Sequence, residues 1–404
     1  MDSGGLRGRR MRILMLGHKY VPSRAGGVEI VVGELSRRMV ARGHQVICCN
    51  RGGCFATEKR ASWEGVALKT MATLDKSGIA AVTSSLFAAL YAAFCRADIV
   101  HIHAEGPAFW CWIPKGAGKR VVVTVHGLDW KRAKWQDGFG KTYIRWGEKM
   151  AVRFADEIIV LSRNAQRYFA DIYGRKTVFI PNGVNRASCV PAVEIRERLG
   201  LERESYLLFL GRLVPEKGVH SLIEAFRKVK TEKRLVVAGA SDSDAYLRRL
   251  TKLAAGDGRI LFPGFVQGRM LEELYSNAYL YVLPSEVEGM PLSLLEAMSY
   301  GNCCLVSDIP ECAQVVVDRG FTFPAGDTEA LSRALQKLCG EPRQVQACRE
   351  RVREGAREFC SWDEVTNRTL AVYENSVDQQ VSPSQWWSGD LPVPAGGVSS
   401  KPGT

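Results

Sequence analysis

The twelve cysteines of this 404-residue chain form no Cys-x-x-Cys and no close Cys/His grouping, which removes a zinc site of the usual spacing. They stand as adjacent pairs (Cys48-Cys49, Cys303-Cys304) or singly, and read as reduced thiols packed in a cytosolic interior. No Gly-x-Gly-x-x-Gly follows the first strand-like run, Met11 to Leu16, which argues against a nicotinamide dehydrogenase. The Gly/Arg-rich start, Met1 to Arg10, has no long apolar region behind it, so no export signal is read there. One nearly uncharged run, Gly78 to Cys95, has about the length of a membrane span. It is rich in Ala, Ser and Thr and leads straight into Asp98-Ile99-Val100-His101-Ile102, so a buried helix of an α/β domain is expected instead. No internal repeat is apparent, and 46% hydrophobic with 24% charged residues is the balance of a soluble globular chain, not a fibrous or disordered one.

A chain of this length exceeds a single hydrophobic core, so two domains are expected. Short β-rich runs alternate with helical patterns throughout, the signature of βαβ units and parallel sheets. In the first half, strands are expected near Arg12–Leu16, Gln45–Cys49, Ile99–Ile102, Val121–Val125, Ile158–Leu161 and Val178–Ile180. In the second half they are expected near Tyr206–Leu210, Leu235–Ala238, Ile260–Phe262, Leu280–Leu283 and Cys304–Val306. Between the first two strands, Val28, Val31, Val32, Leu35 and Met39 share one helical face, with Arg37, Arg38 and Arg42 on or near the other. The sequence therefore divides into a basic extension (1–10), a first doubly wound domain (11–184) and a second (185–361). A last helix (362–376) is placed to pack back across the cleft, and a Pro/Ser/Gly-rich tail (377–404) reads as disordered. Ligands of open parallel sheets bind at the carboxyl ends of the strands, so two such domains face each other across a cleft.

The run from Glu288 through Gly289, Met290, Pro291 and Leu292 to Glu296 follows a strand and reads as a loop handing over to a helix. Pro favours the start of a helix, where free backbone N–H groups attract anions and hydroxyls. Glu288 would precede that helix and Glu296 lie more than a turn inside it, so the two carboxylates reach different parts of an elongated ligand. Upstream, Arg212 and Lys217 flank the loop after the strand ending at Leu210. Fixed cations suit a diphosphate, at about 1.5–3 kcal/mol for each charge-assisted hydrogen bond. Read singly, such residues are ordinary surface charges; read together they suggest a nucleotide-sugar site.

These residues resemble those of the retaining glycosyltransferases of family 4, the group 1 glycosyl transferases of GT-B fold. The matching pieces are Gly26-Gly27, His126-Gly127-Leu128-Asp129, Pro181-Asn182-Gly183-Val184, Gly211-Arg212 with Lys217-Gly218, Gly264-Phe265-Val266, the two glutamates, and Gly326-Asp327 before Ala330-Leu331. They follow in the expected order over about Met11 to Asn375. The resemblance implies two Rossmann-like domains facing a cleft, with Arg212 and Lys217 on the donor diphosphate and Glu296 on its ribose. It also implies Glu288 and the backbone from Gly289 to Leu292 on the transferred sugar, and Phe265 and Val266 near the base. His126 would face that sugar from the first domain, and Gly26 and Gly27 would let backbone approach the donor phosphate or the acceptor. Such enzymes use no bound metal or other cofactor, because cations and a helix N-terminus take the leaving-group charge. No Asp-x-Asp pair stands here in a metal-binding context. Two departures bear on donor subtype and hinge: Gly301-Asn302-Cys303-Cys304 where a small residue, Pro and Val are common, and Asn185 in place of a common Asp.

A net charge of +12 calls for anionic partners. Lys131, Arg132, Lys134, Lys141, Arg145, Lys149 and Arg153 interleave with Trp130, Trp135, Phe139, Tyr143 and Trp146, a composition that suits an anionic membrane surface as well as a solvated helix with core aromatics. His101 and His103 alternate along a strand without a third ligand, and are expected to pack or line the cleft. The expected activity is transfer of a sugar from a nucleotide diphosphate to a saccharide or lipid-linked acceptor in envelope or exopolysaccharide assembly. It is placed in the cytoplasm or at the inner face of the cytoplasmic membrane, with no nucleic-acid partner. The alternatives are an epimerase or phosphorylase on the same fold, or a non-catalytic nucleotide-sugar-binding protein.

Overall fold

The computed structural model describes residues 10–53, 60–74, 76, 78–131, 138–355 and 359–375. The basic extension up to residue 9, Arg132, Lys134 and Trp135 of the basic aromatic stretch, and the tail from 376 lie outside them.

Two parallel sheets organise the chain. The first comprises β1 (Arg12–Leu16), β2 (Gln45–Arg51), β3 (Ser62–Trp63), β4 (Val66–Met71), β5 (Ile99–His103), β6 (Arg120–Val125), β7 (Glu157–Val160) and β8 (Val178–Phe179), in the order β3-β4-β2-β1-β5-β6-β7-β8. Among the described residues only the short β3–β4 pairing is antiparallel. The second comprises β9 (Tyr206–Leu210), β10 (Arg234–Ala238), β11 (Ile260–Gly264), β12 (Leu280–Leu283), β13 (Cys304–Ser307) and β14 (Phe321–Phe323), ordered β11-β10-β9-β12-β13-β14. The Val-, Ile- and Leu-rich central strands are buried on both faces, as parallel strands under helices must be.

In each sheet the connections reverse direction beside the first strand. β1 lies between β2 and β5, and β9 between β10 and β12. A crevice opens at such a switch point at the carboxyl ends of the strands. The backbones crowd there: at Gly17, where φ is +104°, a Cβ would lie 2.1 Å from the His103 carbonyl oxygen. No residue with a side chain fits that position.

Helix Gly27–Ala41 buries Val31, Val32, Leu35 and Met39 against the first sheet. Its outer arginines hold two segments that leave the second domain's edges: Arg42 donates to the Asp363 carboxylate at 2.8 Å and Arg38 to Asn185 Oδ1, just past the first domain, at 2.9 Å. Helix Trp362–Tyr373 starts at Ser361, whose hydroxyl accepts from the Glu364 N–H. It lies on the first domain, although it follows the second in sequence. Tyr373 and its hydroxyl are buried, within 2.6 Å of His101 Nδ1, and Arg120 donates to the Val372 carbonyl at 2.9 Å.

Three strands and one helix differ from the sequence expectation. β3 and β4 were not expected, because Val66–Met71 carries Lys69 and Thr70 and exposes most of its middle; β14 is only three residues long. The run Gly78–Cys95 is a helix, Ile79–Phe94, but a half-exposed one. Its small residues Ser84, Ser85, Ala88, Ala89 and Ala92 face the domain and allow close packing, which turns Ile79, Phe87, Leu90 and Phe94 outward. Among the described residues no helix is long and apolar enough to cross a membrane.

Replacing Tyr373 with Phe removes one hydroxyl and strands His101 Nδ1 in the interior. The expected cost is about 1–3 kcal/mol, read as a lower denaturation midpoint; an unchanged midpoint would mean the contact does not hold the terminal helix.

Candidate active site

The two switch points face each other across a cleft of about 830 Å³. From the first domain it is lined by Lys19, Arg24, Gly26, Gly27, Arg51 and His126; from the second by Arg212, Lys217, Phe265, Val266 and the stretch from Glu288 to Glu296. The residues expected to be catalytic, to bind the donor or to form the glycine loop thus border one space, whereas His101 and His103 do not line it.

At its centre the two domains touch through backbone. A Cβ on Gly289 would sit 1.5 Å from the His126 carbonyl oxygen, and one on Gly127, where φ is +148°, 3.0 Å from the Gly289 Cα. Only glycine at 289 allows the loop after β12 to pass the loop after β6 at this distance. Asn182, in the linker between the domains, fastens the same loop by donating to the Met290 carbonyl at 3.1 Å.

Glu288 is nearly buried and forms an ion pair with Lys217, itself little exposed. Removing one partner would leave the other charge desolvated, so the two act as a unit. Lys217 owes its place to Gly218, whose φ of +66° turns the short 3₁₀ segment Pro215–Lys217 into helix Val219–Arg227; a Cβ there would strike the Pro284 carbonyl at 2.1 Å. Arg212 is held differently. Its nearest carboxylate, Asp242, lies 3.9 Å away and is more than half exposed, so the pair contributes about 0–1 kcal/mol and is readily exchanged for an anionic ligand.

Glu296 lies on helix Leu292–Ser299, with Pro291 as the residue before its first turn. Its carboxylate accepts from the Tyr275 hydroxyl at 3.2 Å and pairs with Arg24 of the first domain. Lys19 reaches across in the same way to Asp242, at 3.5 Å. Phe265 is about half exposed (47%) at the rim, whereas Val266 is buried. Gly26 has Glu29 against it: a Cβ would lie 2.2 Å from Glu29 Oε2, and Glu29 Oε1 accepts from the Lys19 N–H at 2.9 Å.

Beneath His126 lies a histidine array. His103 Nδ1 is 3.0 Å from His126 Nε2, His101 Nε2 is 2.7 Å from Thr124 Oγ1, and His18 Nε2 is 3.0 Å from Asn50 Oδ1. Burial drives down the basicity of His18 to about 4 and of His101 to about 3, and holds His103 well below the usual imidazole range. These three rings are neutral near pH 7. A neutral His103 at hydrogen-bond distance from His126 Nε2 holds the latter's ring in place. The sequence pattern showed His101 and His103 alternating but not that His103 supports His126. Arg24, Lys19, Asp242 and Tyr275 were not singled out from sequence, since their partners come from remote segments. Of the aromatic basic stretch, Arg145, Trp146 and Lys149 are exposed on helix Phe139–Phe154, while Arg145 also lies over the Trp130 ring at 5.5 Å. Among the described residues no group of three or more His, Cys, Asp or Glu could hold a metal ion.

Two parallel α/β domains that face each other with their switch points across a cleft define the GT-B class of glycosyltransferases. Comparison with known proteins agrees over both domains. Residues 25–188 match the family model described as Glycosyltransferase Family 4, and residues 192–358 the model for glycosyl transferases group 1. The alpha-maltose-1-phosphate synthase of Mycobacterium tuberculosis is 27% identical over 410 residues, covering 90% of this chain and 99% of its own. Among solved structures, sucrose-phosphate synthase from Thermosynechococcus elongatus superposes with a TM-score of 0.79 at 22% identity, covering 91% of this chain and 99% of its own. Anabaena HepE in complex with UDP-glucose superposes at 0.76 and 18%, covering 91% and 100%. The chain belongs to the family 4, group 1 glycosyltransferases.

If His103 orients His126, His103→Leu lowers turnover by about fivefold, the worth of about one hydrogen bond of 1 kcal/mol, while His103→Gln restores part of it. Nucleotide binding, read by thermal shift, should be the same in both. A loss of nucleotide binding, or no difference between Leu and Gln, would point to a packing role only.

Proposed function

We propose that this protein transfers a sugar from a nucleotide-diphosphate sugar with retention of anomeric configuration and without a metal ion. The observation that carries the reading is the meeting of Lys217–Glu288 with the His126 loop where the two domains come into backbone contact. A donor lying across the second sheet's switch point places its diphosphate between Arg212 and Lys217 and its ribose at Glu296. Its sugar then lies beside Glu288 and the N–H groups of Gly289 to Leu292. Arg212 gives up its weak tie to Asp242 for a phosphate at little cost, and Lys217, shared between Glu288 and the diphosphate, stabilises the departing nucleotide. His126, facing the anomeric carbon from the other domain, offers its carbonyl and its oriented ring to the positive charge that develops there. The UDP-glucose complex of a protein of the same fold supports a nucleotide-sugar donor.

The acceptor enters from the side of the first domain. It is a saccharide or a lipid-linked one, used in cell-envelope or exopolysaccharide assembly at the cytoplasmic face of a membrane. The exposed Arg145 and Lys149 beside Trp146 support that location.

Glu296 and Glu288 separate in their effects. Glu296→Ala should weaken nucleotide binding by about tenfold, the loss of a charge-assisted hydrogen bond. Glu288→Ala should leave nucleotide binding largely intact and lower turnover severely. A thermal-shift panel of UDP, GDP, dTDP and ADP sugars identifies the donor, because a ligand that binds only the folded state raises its melting point. No shift with any of them, or full activity of Glu288→Ala, would overturn the assignment.

A further inference from the structure

The first-domain half of the cleft has two parts: a polar one with Lys19, Arg24, Glu29, Arg51, His126 and Asp129, and an apolar one with Ile79, Val82, Pro107, Tyr143 and Ile144. Ile79 and Val82 open helix Ile79–Phe94, which carries neither an acidic nor a basic side chain. From the cleft, the same helix continues outward with Phe87, Leu90 and Phe94 exposed at 42%, 38% and 87%. These positions are separated by three or four residues and so share one face. Scattered surface hydrophobics need no explanation, but a track of large ones leading out of an active-site cleft does.

Three cations lie at its outer end. Lys119 donates to the Cys95 carbonyl at 2.7 Å, just past Phe94; Lys69 lies 5.2 Å from the centre of the Tyr91 ring; and Arg96 is exposed beside them. An aromatic tip with Lys69, Arg96 and Lys119 near it matches the boundary of a bilayer with anionic headgroups, where rings enter the interface and cations meet phosphates. A protein partner of acidic surface would satisfy the cations but would not account for the track's continuation into the cleft.

We propose that the exposed face of helix 79–94 docks on an anionic lipid bilayer, and that the acceptor is an amphiphile whose hydrocarbon tail passes over Ile79 and Val82 into the cleft. This rests on the glycosyltransfer reading and commits it to a lipid-borne acceptor. It also moves the principal membrane contact from the basic helix 139–154 to helix 79–94.

The test uses the full chain and vesicles of phosphatidylcholine with about a third phosphatidylglycerol, containing a trace of phosphatidylglycerol with a diazirine at the end of one acyl chain. The expected result is co-flotation with these vesicles, at least fivefold less with pure phosphatidylcholine, and photoadducts on the peptide that contains Phe87 to Phe94 and on Ile79 to Val82. The triple variant Phe87→Glu, Leu90→Glu, Phe94→Glu should bind the vesicles at least fivefold less while keeping its circular dichroism and its thermal shift with the donor nucleotide. No flotation of the unaltered protein, equal binding to neutral vesicles, or equal binding by the triple variant overturns the docking surface. Adducts confined to Phe87 to Phe94 overturn the passage of the tail into the cleft. A nucleotide shift with no vesicle binding defeats this inference alone, whereas absence of any nucleotide shift defeats the reading beneath it.

Discussion

The carbonyl oxygen of His126 lies where a side chain at position 289 would have to be. Because Gly289 has none, the loops that end β6 and β12 pass at backbone contact, and each contributes the residue beside the contact: His126 from one sheet, Glu288 from the other. The distance between them is set by main chain, which does not adapt as long side chains do. Two charge bridges across the cleft, Arg24 to Glu296 and Lys19 to Asp242, are formed by flexible and partly exposed side chains. They follow the approach of the domains and cannot by themselves define it.

From that contact the support extends outward in both domains. On one side, His103 holds His126, and His101 on the same strand joins Thr124 and the Tyr373 hydroxyl of the terminal helix. Helix Trp362–Tyr373 is thereby tied to the strand beneath His126, with Arg38 and Arg42 both reaching Asp363 at its start. On the other side, Gly218 and Pro284 lock the turn that delivers Lys217 to Glu288. Both sets place fully buried or nearly buried polar groups in single arrangements, and such arrangements are costly to leave half made.

Much of this was legible in the sequence because it is local. β9 and β12 fall where the apolar runs at Tyr206–Leu210 and Leu280–Leu283 put them, and the Pro291 turn begins its helix as the Gly-Met-Pro run implies. The GT-B architecture and the family followed from the order of short motifs. What could not be read was pairing between distant segments. Lys217 and Glu288 stand 71 residues apart, and Arg24 and Glu296 272; no spacing rule links them. His101 and His103 were visible as an alternation, but that His103 meets His126 depends on the register of β5 against β6. The helix at 79–94 misled for a physical reason. Its composition is that of a buried helix, whereas small residues at the packed face exclude the large ones from it.

The most direct test of the backbone contact is small-angle scattering of Gly289→Ala, compared with the unaltered protein and combined with a transfer assay. The added methyl cannot coexist with the His126 carbonyl. The account predicts a larger radius of gyration from an opened cleft, loss of most transfer, and circular dichroism that reports both domains still folded. A variant with the original radius and full transfer would contradict it.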